Sequence, residues 1–109
     1  MDTRMTSITL LYTTAPSRDI ADALAASLVE KRLAACVNML DGMRSVYRWE
    51  GKIEHAEEVA MLIKTTAAQV EPIKALLAAE HPYDTPACLV LAVTDGLPDY
   101  LQWIARETL

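Results

Sequence analysis

The chain has 109 residues, a length that fits a single domain with one modest hydrophobic core. Its hydrophobic fraction of 52% and charged fraction of 23% are typical of a globular protein. The formal net charge is −5, and the basic residues are scattered rather than clustered. The sequence therefore lacks the concentrated positive surface that nucleic-acid binding requires, and we expect no nucleic-acid partner.

Neither a signal peptide nor a membrane span is predicted. The first residues contain no long apolar run, and no stretch reaches the roughly 18 apolar residues that a transmembrane helix needs. Cys36 and Cys88 lie far apart and form no CxxC pair, so we expect reduced thiols. These features predict a cytoplasmic protein without membrane insertion, built as one domain over residues 7–109 with a short N-terminal extension at residues 1–6.

The beginning of the chain predicts a strand and then a helix. Residues Ser7–Thr14 are apolar and β-branched, which favours a central strand that Pro16 ends. Ser17 suits a helix N-cap. Apolar side chains then recur at every fourth position, which predicts an amphipathic helix continuing to about Arg32.

The middle of the chain predicts an unusually long β-hairpin. One arm starts at Ala34–Leu40, is interrupted by a bulge or bend at Asp41-Gly42, and resumes at Arg44–Trp49. Glu50-Gly51 supplies the turn. The return arm, Lys52–Thr65, contains no Gly or Pro and would span ~46 Å if extended at ~3.3 Å per residue. A compact domain of this size has a diameter of only about 34 Å, so the arm needs something else to pack on.

The last part of the chain predicts a helix, a strand and a short final helix. Thr66 and Gln69 have the spacing of a capping box, which would open the second helix. His81-Pro82 ends that helix, and Leu89–Thr94 is an apolar strand. Pro98 suits the first turn of a C-terminal helix.

This order of elements predicts an α+β fold, the ferredoxin-like βαββαβ sandwich. Two interleaved crossovers form one antiparallel sheet with both crossover helices on the same face. The long hairpin between the second and third strands and the C-terminal helix are additions to that plan. The other face of the sheet would be bare although it is partly apolar, which independently favours association between copies.

Five sequence blocks resemble the CutA divalent-cation tolerance family. They are LVEKRLAACVN at 28–38, SVYRWEGKIE at 45–54, IKT at 63–65, HPYDTP at 81–86 and YLQWI at 100–104. The resemblance covers about Leu10 to Ile104, with the blocks in the same order. It implies a cytoplasmic homotrimer of ferredoxin-like subunits whose long hairpins pair between subunits. It also implies tolerance to, or binding of, divalent cations, notably copper, without an organic cofactor and without an established enzymatic reaction.

The chain departs from the family pattern at two positions. Ala87 follows the second proline of HPYDTP, where the family usually has Glu, and Thr13 stands where some members have Cys. Both departures remove potential metal ligands. Cys36, in contrast, fits its block.

Three residues are the candidate metal ligands: Cys36, His55 and Glu58. A thiolate at Cys36 would suit copper, although Cys is also commonly a small buried apolar residue on a strand. His55 shares one strand face with Glu57, and Glu58 shares the other with Glu54. An i,i+2 pair of this kind could hold a metal ion, or it could simply be a solvated strand end that blocks aggregation.

The resemblance places Glu58 and Lys64 near an inter-subunit cleft, together with Trp49 and Tyr83. Glu58 and Lys64 share a strand face but are too far apart to touch, so Lys64 needs another polar partner, either in a pocket or in an inter-subunit ion pair. Tyr47 completes the predicted cleft. Aromatic residues with polar tips are favoured at interfaces, and ligand stacking is the alternative role.

The predicted function is divalent-cation tolerance, with metal bound at the inter-subunit cleft or through Cys36. The alternative is a trimeric module of the PII signalling type, which by fold analogy would hold a small ligand between subunits. An enzyme that uses Cys36 with Lys64 or a Glu ranks last, because no motif places a base beside the thiol. Phosphate-binding and hydrolase motifs are missing from the sequence. We therefore expect a protein that is not an enzyme.

Overall fold

The computed structural model describes residues 7–109, so the predicted extension at 1–6 lies outside the described residues. The elements follow one another as strands β1 to β4, helices α1 to α3 and one short 3-10 helix. In chain order they are β1 (Ile8–Ala15), α1 (Arg18–Glu30), β2 (Cys36–Trp49), β3 (Lys52–Thr66), the 3-10 helix (Ala67–Gln69), α2 (Val70–Glu80), β4 (Leu89–Ala92) and α3 (Pro98–Glu107).

The four strands form one sheet in the order β2-β3-β1-β4, with every neighbouring pair antiparallel. Because β1 and β3 are central and each crossover carries a helix, this is the interleaved arrangement predicted from the order of elements. The ferredoxin-like α+β fold is confirmed.

The core lies between one face of the sheet and helices α1 and α2. Leu11 of β1 and Ile63 of β3 are directly opposite each other and fully buried. They pack with Leu28 of α1 and Ile73 of α2 in one continuous apolar cluster. The regular alternation of β1 and β3 sends every second side chain into this cluster, and burial of such side chains is the main stabilising term.

Helix α1 begins as predicted and ends slightly earlier. Ser17 is its N-cap, and its Oγ accepts a hydrogen bond from the Ile20 amide at 3.3 Å. The helix ends at Glu30, with Lys31 as C-cap. Arg32, placed in the last turn by the sequence prediction, instead has a φ of 57°, the left-handed conformation that commonly follows a helix C-terminus.

The hairpin of β2 and β3 projects beyond the sheet. Strand β1 pairs with β3 only from Val59 to Thr66, so residues 52–58 of β3 pair with β2 alone. This two-stranded part, residues 43–58, extends about 23 Å past the last β1 pairing, and we call it the ribbon. The molecule is accordingly 48 Å long and only 25 × 23 Å across. The predicted overshoot is confirmed.

Three local predictions are corrected. The capping box is wrong: Thr66 makes no side-chain capping bond, and the Gln69 side chain instead donates to the Leu109 carbonyl at 2.6 Å. Strand β4 ends at Ala92 rather than Thr94. The second face of the sheet is not wholly bare, because α3 lies against β3 and β1 and covers part of it.

Within residues 7–109, no helix combines the length and the apolar character needed to cross a membrane.

Candidate functional site

An open cavity of about 590 Å³ lies where the ribbon leaves the sheet. Its lining comes from β1, from both strands of the ribbon and from the segment that follows α2. The lining residues are Thr14, Tyr47, Trp49, Glu58 and residues 82–87. We call this cavity the ribbon pocket.

A β-bulge at the base of the ribbon decides which side chains face the pocket. Leu40 is opposite Ala60, but the next regular pair is Met43 with Glu58, so β2 carries one residue more than β3 between these pairs. Because side chains alternate along a strand, this extra residue exchanges the two faces of β2 beyond the bulge. Tyr47 and Trp49 therefore share the ribbon face of Glu58. The predicted interruption at Asp41-Gly42 is confirmed at this place.

Glu58 and Tyr83 form the polar contact of the ribbon pocket. The Tyr83 hydroxyl donates to Glu58 Oε2 at 3.3 Å. Partial burial raises the pKa of Tyr83 above its ordinary value, and the nearby Glu58 carboxylate raises it further because both disfavour a phenolate. Tyr83 therefore stays a neutral donor at physiological pH, beside a half-buried carboxylate.

His81 holds Tyr83 in place and uses both ring nitrogens to do so. His81 Nε2 lies 2.7 Å from the Thr14 carbonyl, which can only accept, and Nδ1 accepts from the Tyr83 amide at 3.1 Å. The ring is therefore the neutral Nε2–H tautomer. The rings of His81 and Tyr83 also pack, with centroids 4.9 Å apart. A buried histidine engaged in this way is a structural support for the pocket.

Lys64, which the resemblance placed near the same cleft, lies elsewhere in the single chain. It is six residues from Glu58 along β3, a distance of about 20 Å. Its Nζ donates to the Tyr100 hydroxyl of α3 at 2.8 Å and lies 5.2 Å from the centroid of that ring. The hydrogen bond to Tyr100 is the main cause that raises the pKa of Lys64.

The three candidate metal ligands are also separate in one chain. Cys36 is opposite Lys64, Glu58 is opposite Met43, and exposed His55 is opposite Val46 on the other face of the ribbon. Across residues 7–109, no cluster of three or more His, Cys, Asp or Glu side chains is arranged to hold a metal ion.

The sequence prediction missed some of the pocket. Nothing in the sequence marks Thr14 as a pocket residue, because a threonine near the end of a strand resembles any other residue of a sheet. Pro82 and Pro86 were visible only as part of the HPYDTP block, although two prolines so close together restrict the backbone of this wall.

The family of the chain follows from comparison with known proteins. Residues 9–107 match the family described as CutA1 divalent ion tolerance protein. The chain belongs to the CutA1 family. The resemblance noted in the sequence blocks is thereby confirmed over nearly the whole chain.

Relatives in this family cover the chain almost completely. The divalent-cation tolerance protein CutA of Pectobacterium atrosepticum is 50% identical over 87% of this chain and 86% of its own length. The crystal structure of CutA from Xylella fastidiosa is 44% identical, covers 93% of this chain and 97% of its own, and superimposes with a TM-score of 0.90. The chloroplastic protein CutA of Arabidopsis thaliana is 40% identical over 91% of this chain, which spans 54% of that longer protein.

The two departures from the family pattern meet at one place in the CutA1 fold. The Thr13 hydroxyl donates to the carbonyl of Ala87 at 2.6 Å, and the next residue, Thr14, is the partner of His81. The two positions at which the sequence departs from the expected family pattern, Thr13 and Ala87, are thus adjacent and lie close to His81. In this chain they are occupied by a hydroxyl group bonded to the backbone and by a methyl group.

Proposed function

We propose that this CutA1-family chain forms a homotrimer that acts in divalent-cation tolerance. The trimer binds metal ions, copper among them, at clefts between its subunits. The observation that carries the proposal is the ribbon. It extends past its own sheet with large apolar side chains in solvent, including Val46 at 65% and Ile53 at 55% exposure. A two-stranded ribbon is barely stable by itself, so it needs a partner to pack on.

Metal binding in this proposal requires ligands from more than one copy. Glu58 supplies one half-buried carboxylate, while Cys36 and His55 are too far from it to join it within a chain. Stable metal sites need several donors at fixed distances. Assembly around a symmetry axis brings further copies of the same side chains together. We place the protein in the cytoplasm, where a reduced Cys36 can act as a soft ligand, and assign it no enzymatic reaction.

Calorimetric titration tests direct metal binding. We expect Cu(II), Cu(I) or Zn(II) to release heat above the buffer control with the unmodified protein, and the affinity to fall at least about tenfold in Cys36→Ser or Glu58→Gln if that residue is a ligand. Cys88→Ser is the matched thiol control and should bind as the unmodified protein does. No heat above the control for all three ions would rule out direct binding.

A second candidate function is a small-ligand module of the PII type. The observation in its favour is the volume of the ribbon pocket, because about 590 Å³ falls within the range of small-molecule sites. A thermal-shift screen of nucleotides and organic acids tests this candidate, since a ligand that binds the folded state raises its melting temperature. Flat responses to all of them would count against it.

A further inference from the structure

The chain contains two Asp-Gly steps, Asp41-Gly42 and Asp95-Gly96, and the fold holds them in different ways. An Asp-Gly step is the dipeptide most open to intramolecular ring closure, because glycine has no Cβ atom to hinder the approach of its amide nitrogen to the preceding carboxyl group. Ring closure needs that nitrogen and that carboxyl group in contact, and it needs a backbone that can bend. The two steps differ in both conditions.

Asp95-Gly96 meets both conditions. The Gly96 amide donates to Asp95 Oδ1 at 2.8 Å, so the attacking nitrogen already lies against the carboxyl group. Both residues are exposed and belong to the segment 93–97 between β4 and α3, which is neither helix nor strand. Within residues 7–109, no backbone–backbone hydrogen bond involves either of them. The backbone of this step can therefore take the ring-closing conformation.

Asp41-Gly42 meets neither condition. The Asp41 carboxylate is turned toward Arg18, whose Nε and Nη2 atoms lie 2.7 and 2.6 Å from Oδ2. The step also forms the bulge of β2, with regular pairs to β3 on both sides of it, so its backbone is fixed at both ends. Such a backbone must open locally before it can bend, and that opening costs free energy.

Asp95-Gly96 also lies at the opposite end of the sheet from the ribbon. The Val93 amide donates to the carbonyl of Ile8, the first residue of β1, whereas the ribbon starts beyond Ala15, the last residue of β1. These two ends are about 23 Å apart along the strand. A reaction between neighbouring residues that consumes only water depends neither on the ribbon nor on metal.

We propose that Asp95-Gly96 is a site of spontaneous isoaspartate formation and that this modification loosens helix α3. The Gly96 nitrogen attacks Cγ of the Asp95 carboxyl group, the N–H proton and the carboxyl OH leave as water, and the new C–N bond closes a five-membered succinimide. One water molecule then opens the ring at either carbonyl. Opening at the main-chain carbonyl of residue 95 routes the backbone through Cβ and Cγ, which is isoaspartate, and opening at the other carbonyl restores aspartate.

The modification acts on α3 because it lengthens the main chain by one methylene group directly before Gly96. A Cβ atom added at Gly96 would lie 3.0 Å from Leu101 Cδ2, so this glycine already packs closely on the helix. The longer main chain must move Gly96 away from Leu101 or displace α3. Since α3 docks through contacts such as that between Lys64 and Tyr100, we expect its amides to lose protection from hydrogen exchange.

Peptide mapping of the intact protein during incubation at neutral pH tests the site. Electron-transfer fragmentation distinguishes isoaspartate from aspartate, and the rate at each step is divided by its rate in the chain unfolded with guanidinium, which cancels intrinsic reactivity. We expect folded Asp95 to react within about threefold of its unfolded rate, and folded Asp41 at least about tenfold more slowly than its unfolded rate. Asp95→Glu keeps the charge but cannot close a five-membered ring, so it should form no such product at position 95. Asp41→Glu is the matched control and should leave the rate at Asp95 unchanged.

Hydrogen exchange on the chromatographically separated isomerised fraction tests the effect on the helix. Amides of α3 should exchange about tenfold faster than in the unmodified protein, while those of β1 and β3 stay unchanged. Asp95→Glu incubated in the same way is the control for other damage. Suppression at Asp95 equal to that at Asp41 or larger than the expected limit, absence of isoaspartate at Asp95, or unchanged exchange of α3 in the isomerised fraction would overturn the proposal.

Discussion

His81 determines the position of Tyr83, and Tyr83 in turn determines the surroundings of Glu58. Each ring nitrogen of His81 has one partner, so the ring cannot take a second role without breaking a bond. The phenol then reaches Glu58 across the pocket. A histidine beside a proline, which the sequence suggested only as a helix end, is therefore a buried support of the candidate site.

The pKa of Tyr83 should respond to Glu58 in a defined way. We expect it to lie above the ordinary tyrosine value of about 10, chiefly because the ring is partly desolvated and secondly because of the carboxylate. Glu58→Gln should lower the pKa of Tyr83 without returning it fully to the ordinary value, since desolvation remains. NMR titration of ring-labelled tyrosine measures this, with Tyr83→Phe to assign the signal. An unchanged pKa in Glu58→Gln would contradict the contact.

The Lys64–Tyr100 contact should stabilise the docking of α3. Tyr100→Phe removes the hydrogen bond but keeps the ring, so we expect a loss of about 0.5–1 kcal/mol in the free energy of unfolding. The hydrogen bond raises the pKa of Lys64, so this stabilisation is complete below pH about 10.5 and disappears as pH rises through the folded-state pKa.

Urea unfolding at pH 8 and at a pH above the pKa of Lys64 measures that difference. The cost of Tyr100→Phe should shrink at the higher pH, because the ammonium has then lost its charge in both proteins. Tyr47→Phe serves as control, since its hydroxyl has no part in docking α3. An equal cost of Tyr100→Phe at both pH values would show that the charged contact contributes nothing.

At the scale of elements, the bulge at Gly42 decides what the ribbon presents. Gly42 has a φ of 76°, a conformation that glycine adopts without strain, and a Cβ atom added there would meet nothing within 4 Å. The bulge leaves one residue of β2 out of the regular pairing, so that Tyr47 and Trp49 share the face of Glu58. If residues 41–43 all paired regularly, Val46 and Arg48 would lie on that face instead.

Deleting Gly42 should remove the bulge without exchanging the two faces of the ribbon, because Met43 then follows Asp41 directly and still pairs with Glu58. We expect the cross-strand NMR contacts of the pairs Met43–Glu58 and Tyr47–Glu54 to persist, together with the β1 pairing. Gly42→Ala is the matched control: it keeps the bulge at a cost of about 1 kcal/mol and should leave those contacts in place. Loss of these contacts in the deletion variant would contradict the assignment of Gly42 as the extra residue of the bulge.

At the scale of the whole molecule, the fold could be predicted from the sequence more completely than the candidate site. Apolar periodicity, Ser17 and the Glu50-Gly51 turn are local signals, and each lies where it was predicted. The pairing of Tyr83 with Glu58 joins residues far apart in the chain, so no local pattern could report it. Gln69 failed as a capping residue because the C-terminal carbonyl of Leu109, remote in sequence, competes for its side chain.

The docking of α3 on the second sheet face also depended on tertiary contacts that periodicity does not encode. Pro98 predicted the start of a helix, but the surface on which that helix packs depends on contacts across the fold, such as the hydrogen bond between Lys64 and Tyr100. Because α3 covers part of the second sheet face, the exposed surface that most favours association is the ribbon, where Trp49 is 49% exposed.

The ribbon should drive trimer formation, and charge placed on it should prevent assembly. Val46→Lys with Ile53→Lys puts ammonium groups on exposed apolar positions that a partner must cover, and burying unpaired charge at an interface is costly. We expect sedimentation of the unmodified protein at micromolar concentration to give a trimer and that of the double variant to give smaller species with the fold retained by circular dichroism. Leu97→Lys, at an apolar N-cap position of α3 that is 78% exposed, is the control and should leave the trimer intact. A monomeric unmodified protein would refute the assembly, and a double variant that remains trimeric would show that the ribbon does not form the interface.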